Sequence, residues 1–252
     1  MDFIFSSEAI SALITLTFLE IVLGIDNLLF ISIITQKLAL NQQKLASNIG
    51  LFLAMLLRIV LLFGISVVVQ MQSSFISINN SWLKTEINGQ AIILVLGGLF
   101  LLYKSTHEIF EKIENDSSDD KKSTVKISLS KAITQITILN IVFSFDSILT
   151  AVGMTNGIPN ALPIMIISIL VSVGIMMVFM KSVSDFIQKH PSLQILGLSF
   201  LILIGFMLIT EGAHISQTVI FDNEVGTIPK GYLYFAISFS LGIEFLNMKM
   251  KK

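Results

Sequence analysis

Apolar runs of near-bilayer length recur so often along this chain that few folds remain open to it. Clear runs cover residues 10–35, 47–71, 132–154, 161–180 and 193–210, and two shorter ones cover 90–103 and 232–246. A helix needs about 20 mostly apolar residues to cross the hydrocarbon core, so the last two sit at the lower edge of spanning length. The mean hydropathy is +0.84 and 13% of residues are charged, against about a quarter in soluble domains. No soluble core of this size absorbs that much apolar sequence. The expected fold is therefore an all-α membrane protein with seven transmembrane helices.

The same composition excludes several roles. The net charge is -1 with no basic stripe, so no nucleic acid partner is expected. The absence of cysteine removes disulfides, thiolate metal sites and cysteine nucleophiles together. The opening residues MDFIFSSEAI carry no basic n-region and no small-residue cleavage site, so the first apolar segment is expected to stay in the membrane.

Orientation follows from the basic residues. With the N-terminus outside, every lysine falls in a cytoplasmic connector or the C-terminal end except Lys84 and Lys230, and Arg58 lies within the second span. Lysine and arginine collect on the cytoplasmic side of membrane proteins. An N-out, C-in orientation is expected.

Spans one and four resemble each other. LEIVLGIDNLLFI (19–31) aligns with LNIVFSFDSILTA (139–151) at a fixed offset of 120, which makes Ile21/Ile141, Val22/Val142 and Asp26/Asp146 identical and pairs Asn27 with Ser147. LGGLFL at Leu96 echoes LGLSFL at Leu196 more weakly. The pattern predicts a 3+3 inverted repeat plus one C-terminal helix in a single membrane domain over 1–252. Repeat one covers about 8–111, a cytoplasmic linker 112–130, repeat two 131–216 and the last helix 232–246. Three spans per copy make the second copy enter from the opposite side, and transporters of this design bind their cargo near the midplane.

Glu20, Asp26 and Asp146 lie deep within spans one and four. A carboxylate at the bilayer centre costs about 3 kcal/mol on insertion scales, so three are hard to explain as packing. On an unbroken helix Glu20 and Asp26 sit about 120° apart and about 9 Å apart along the axis. Either Gly24 marks a break, or the two acids act at different depths. The candidate ligands Glu20, Asp26, Asn27, Asn140, Asp146 and Ser147, with Ser144 close by, offer oxygen only. That donor set suits magnesium, calcium or manganese. Three acids around a divalent ion leave a surplus charge that a proton could balance, which makes proton antiport an expectation. Arg58 is a candidate partner for a site acid or a snorkelling residue. Gly24 and Ser144 are supporting positions, and Glu211 and Glu244 are candidate vestibule acids at the ends of spans six and seven. His107, His190 and His214 are scattered near span ends.

The stretch TFLEIVLGIDNLLFISI, the single Arg58, GGLFLLYKSTHEI, IVFSFDSILTAVGM and IPKGYLYFAISFSLGIEFLN resemble, in order from Thr17 to Asn247, the TerC family of bacterial membrane proteins. The resemblance implies a seven-span protein of the LysE-like transporter type, a manganese exporter, with Glu20, Asp26, Asn27, Asp146 and Ser147 at the ion path. Many relatives carry an acid where this chain has Asn140, which bears on ion selectivity and proton coupling. The resemblance also implies a bacterial inner membrane location, and no soluble extension of the kind some relatives carry is expected after Lys252. No resident cofactor is expected, only the transported divalent cation, and the sequence leaves the oligomeric state open. The alternatives are export of calcium or a cationic amino acid, an intramembrane aspartyl protease using Asp26 and Asp146, and a membrane partner that supplies metal to secreted proteins.

Overall fold

The structure, a computed structural model, describes residues 7–64, 71, 73–117, 127–155, 158 and 161–250. Within those segments the side chains at positions 26, 115–117, 146, 149 and 150 lie outside the described set. Seven helices form among the described residues: α1 Ser7–Gln36, α2 Leu40–Phe63, α3 Gly89–Ser117, α4 Leu129–Met154, α5 Ala161–Lys189, α6 Pro191–Ile215 and α7 Lys230–Met250. Five of them, α1, α2, α3, α5 and α6, contain stretches long and apolar enough to cross a membrane. Helix α4 carries a shorter apolar run over Leu129–Phe145.

The short third segment of the hydropathy profile needs correction. Residues 90–103 are only the first half of α3, whose span-length stretch covers Gly89–Glu114. The second half is polar in sequence, but its charges pair along the helix. Lys104 Nζ lies 2.7 Å from Glu108 Oε1 and His107 Nε2 lies 3.2 Å from Glu111 Oε1, both at i,i+4 spacing. That pairing lets the helix run on to Ser117 and shortens the linker predicted at 112–130. Helix α4 then begins at Leu129, where the Ser128 hydroxyl accepts the Lys131 amide at 3.3 Å. Helix α2 also starts earlier than residue 47 and closes at Phe63, where Gly64 donates its amide to the Val60 carbonyl at 2.9 Å.

A small antiparallel sheet, absent from the hydropathy pattern, joins two connectors in the order β1-β2-β3-β4. β1 Ser74–Asn79 pairs with β2 Leu83–Asn88, which pairs with the two-residue strand β3 Val219–Ile220, and β3 pairs with β4 Asn223–Glu224. Phe221 and Asp222 turn the last hairpin with φ of 47° and 59°. Two successive positive φ values match the twist that a two-residue hairpin loop requires.

The helices group into two compact units, and each unit draws on both halves of the sequence. Helices α1, α2, α4 and α5 make the first; the sheet, α3, α6 and α7 make the second.

In the first unit α1 and α2 form a hairpin, tied by a 3.5 Å contact from Ser47 Oγ to Thr35 Oγ1. The buried face of α2 includes Ser47, Gly50, Leu51, Ala54, Arg58 and Leu62, a three-and-four spacing that puts Arg58 on the same stripe as the small residues Ser47, Gly50 and Ala54. Gly50 lets α4 approach closely, since a Cβ there would meet Ile136 Cγ2 at 2.9 Å. Helix α4 runs antiparallel to α1. The Ile127 amide, just before α4, donates to the Lys37 carbonyl just after α1 at 3.2 Å, and the opposite ends of both helices line one cavity.

In the second unit α3 and α6 also run antiparallel. A Cβ on Gly98 would meet the Gly205 carbonyl oxygen at 2.6 Å, and one on Gly212 would meet the Ala91 carbonyl oxygen at 3.0 Å. Ala91, Leu94, Gly98, Leu101, Ser105 and Glu108 form one buried stripe on α3. Backbones that approach this closely need small residues at the crossing.

Candidate functional site

Most buried polar side chains among the described residues belong to the first unit. Those of the second, Asn88, Gln90, Ser105, Glu108 and Ser216, are fewer. Helices α1, α2 and α4 supply Glu20, Asn27, Arg58, Asn140, Ser144 and Ser147, all buried. The elements that carry the two Asp motifs therefore also carry a polar interior.

Helix α1 is continuous from Ser7 to Gln36, so no break occurs at Gly24. Gly24 instead makes room for α5, because a Cβ there would meet Met176 Sδ at 2.5 Å. Glu20 and Asp26 thus occupy different faces and depths of one unbroken helix.

The Glu20 carboxylate is engaged by Arg58. Arg58 Nη1 donates to Glu20 Oε2 in a buried ion pair, with each residue 1% exposed. Arg58 does not snorkel. Its place on the small-residue stripe of α2 aims the side chain into the unit. Once neutralised in this way, Glu20 is a tie between α1 and α2, and the charge it would add to a cation site is balanced locally. Asn140, at the position of α4 equivalent to Glu20 in the 120-residue offset, also docks on α2: its Nδ2 donates to the Gly50 carbonyl at 3.2 Å. The Ser147 hydroxyl is used locally, donating to the Ser144 carbonyl at 3.3 Å.

Among the described residues, two oxygens beside the Asp motifs have no partner. Asn27 Oδ1 and Ser144 Oγ are shut off from solvent without a hydrogen bond. A buried polar atom left unsatisfied costs about 1–3 kcal/mol, and a bound water or ion is one of the explanations such an atom calls for. Gln90 Oε1 and Ser105 Oγ are further orphans, on α3 of the second unit and remote in sequence from either Asp motif.

The antiparallel register places these residues by depth. Seventeen residues separate Lys37 from Glu20, and seventeen separate Ile127 from Ser144. Glu20 and Ser144 therefore lie at one height, with helix position 146 about 3 Å away along the axis. Position 26 lies about 9 Å along α1 from Glu20, and by the same count Asn140 is within about one turn of its height. The side chains of Asp26 and Asp146 are outside the described residues, so the predicted shared constellation reaches only to these backbone positions. Glu211 and Glu244 belong to the second unit, on α6 and α7, where Ser192 Oγ donates to Glu244 Oε1.

The histidines form no centre. His107 stacks on Tyr103, His190 precedes α6, and His214 Nδ1 lies 3.2 Å from the Val225 carbonyl. Among the described residues no three His, Asp or Glu side chains cluster as a metal site. Arg58 had a legible signal in the spacing of Ser47, Gly50 and Ala54. Met176 and the Gly50 carbonyl, which fill and brace the same region, had none, because their roles depend on which helices pack together.

A UPF0053 protein of Haemophilus influenzae is 41% identical over 251 residues, covering 100% of this chain and 98% of the relative. The UPF0053 inner membrane protein YgdQ of Escherichia coli K12 is 43% identical over 241 residues, 96% of this chain and 93% of its own. The UPF0053 inner membrane protein YoaE of the same organism is 38% identical over 247 residues, but this chain spans only 44% of its length. No solved structure gives a significant match. Residues 5–252 match the family described as integral membrane protein TerC family. With that match across the chain and with five span-length helices, the protein belongs to the TerC family of integral membrane proteins.

Proposed function

We propose that this protein exports a divalent metal cation, Mn²⁺ first among the candidates, along a path between α1 and α4 that carries Asp26 and Asp146. The carrying observation is the pair of orphaned buried oxygens, Asn27 Oδ1 and Ser144 Oγ, each within two residues of a motif Asp. A hard cation takes oxygen ligands of this kind. The antiparallel pairing of α1 with α4 and of α3 with α6 supports a 3+3 inverted repeat, with α7 the additional helix and all seven helices crossing. Two relatives named as inner membrane proteins support an inner-membrane location, and the lysine distribution supports an outside N-terminus and a cytoplasmic C-terminus.

Charge balance narrows the coupling. By the register above the two Asp positions lie about 12 Å apart along the axis. With Glu20 paired to Arg58 they match the charge of one divalent ion along the path rather than in one ligand shell. When the ion leaves, two protons restore that balance, so we assign exchange of one cation for two protons, electroneutral overall. Commitment of Arg58 to Glu20 also tells against a cationic amino acid as cargo, because Arg58 was the partner for its carboxylate.

The test is metal efflux from a manganese-sensitive strain loaded with Mn²⁺, comparing wild type with Asp26→Asn and Asp146→Asn at equal expression. Wild type should lower cellular manganese and both variants should fail. Cells that clear calcium and keep manganese would replace the substrate and retain the path. Movement of no ion would sink the exporter role.

A further inference from the structure

The small sheet of the second unit places aromatic side chains at the tips of two neighbouring hairpins. The Asn80 amide donates to the Leu83 carbonyl at 2.8 Å, which leaves Ser81 and Trp82 in the loop between β1 and β2. The Phe221 amide, in the loop between β3 and β4, donates to the Trp82 carbonyl at 3.0 Å. Trp82 is 52% exposed and Phe221 is 71% exposed. Phe221 also holds a φ of 47°, a left-handed conformation that glycine or asparagine adopts readily and a bulky side chain avoids. Turn geometry selects against phenylalanine there, and burial in the fold does not reward it. We propose that the sheet is a membrane-surface anchor, with Trp82 and Phe221 seated in the headgroup layer of the bilayer beside the start of α3. On the orientation proposed above, that surface is the outer one.

The body of the sheet is two-faced. Side chains alternate along β2, with Leu83, Thr85 and Ile87 half-buried and Lys84 and Glu86 exposed. Cross-strand partners point to the same face, so Ile76 joins Ile87, and Ile220 joins Leu83. Ser77 and Asn79 fall on the other face with Glu86 and Lys84. Ile76 and Ile220 stay exposed, so the protein leaves part of the apolar face open. An antiparallel sheet with one polar face turns the other toward something dry.

Continuity with the lipid-facing surface identifies the occupant. Helix α3 starts at Gly89, directly after β2, and is of span length. Its exposed apolar stripe of Ile92, Leu96 and Leu99 runs up to the sheet. The connector that holds β3 and β4 leads into α7, whose first turns carry exposed Tyr232 and Phe235. Aromatic rings collect at membrane–water interfaces, where an apolar body and a polar edge suit the headgroup depth. Capping the helix ends explains part of the sheet. Asn88 Nδ2 donates to the Ile215 carbonyl at 3.2 Å, and the Glu86 amide donates to the Ser216 carbonyl at 2.7 Å. Those bonds use the base of the sheet and leave its aromatic tips unexplained. Lys84 and Asp222, an exposed pair at 3.4 Å beside the tips, suit the same depth, where charged groups meet headgroups and water.

Trp82 is the single tryptophan, which makes the test direct. Its emission is followed in the full chain in nanodiscs whose phospholipids carry bromine either just below the headgroup or near the chain ends. The shallow bromine should quench Trp82 more than the deep one. Iodide in the water should quench it less than it quenches free tryptophan amide. Phe221→Asn keeps the turn, which asparagine suits, and removes one ring, so bromine quenching should fall and iodide quenching should rise. Quenching by iodide with none by bromine overturns the anchor, because the sheet then stands in water. Quenching by neither overturns it too, and points to another protein surface, such as a second copy, over the tips. A Phe221→Asn variant indistinguishable from wild type refutes the paired-ring anchor. None of these readings depends on the carried ion, so metal efflux tests the export role separately.

Discussion

Truncating Arg58 should damage the protein more than truncating Arg58 and Glu20 together. Both residues are 1% exposed and joined by a direct ion pair. Arg58→Met leaves the Glu20 carboxylate buried without its partner, and breaking a buried pair from one side costs about 3–5 kcal/mol. Replacing both partners with apolar groups of similar volume is often neutral or stabilising by about 1–4 kcal/mol. Glu20→Leu/Arg58→Met should therefore recover most of the loss. The assay is reversible unfolding in mixed bicelles titrated with SDS, followed by tryptophan fluorescence from Trp82, the single tryptophan, and by a far-ultraviolet helix signal. A double-mutant cycle isolates the pair term. A single Arg58→Met variant as stable as wild type would refute the claim that Glu20 depends on Arg58. Losses that simply add in the double variant would refute it equally.

Two glycines should respond differently to one added methyl. Gly98→Ala drives a Cβ to 2.6 Å from the Gly205 carbonyl oxygen, and backbone must move, so the same unfolding assay should show a loss of about 1–3 kcal/mol. Gly24→Ala meets the flexible Met176 thioether and should cost less than half as much. Asn140→Asp replaces the amide that donates to the Gly50 carbonyl at 3.2 Å with an acceptor. It should lower metal-free stability by about 1–3 kcal/mol, and added Mn²⁺ should restore part of that if the new carboxylate reaches the ion.

How much of this was legible in the sequence depends on which forces decided each feature. Apolar runs announce α1, α5 and α6, because burial in lipid follows composition. The length of α3 was hidden, since Lys104, His107, Glu108 and Glu111 lower its hydropathy while pairing along its surface. The sheet rests on short pairings such as Leu83 with Ile220, which bring together segments remote in sequence and leave no periodic trace. Among the site residues, with the side chains of Asp26 and Asp146 outside the described set, the burial of Glu20 was readable from its apolar flanks. That Glu20 is matched with Arg58, and Asn140 with Gly50, was not, because each depends on which face of α2 meets α1 and α4. Grouping α1, α2, α4 and α5 apart from α3, α6 and α7 is likewise a packing outcome that no linear boundary marks.

The central claim is that Asp26 and Asp146, with the orphaned oxygens of Asn27 and Ser144, carry a divalent cation. Purified protein in proteoliposomes with a manganese-quenched dye inside tests it most directly, with an imposed proton gradient as the only driving force. The account predicts gradient-dependent Mn²⁺ flux without a change in membrane potential. Asp26→Asn and Asp146→Asn should abolish that flux, and Asn27→Ala and Ser144→Ala should each slow it about ten-fold at low Mn²⁺. Flux that survives both Asp substitutions, or no divalent flux from wild type under any gradient, would contradict it.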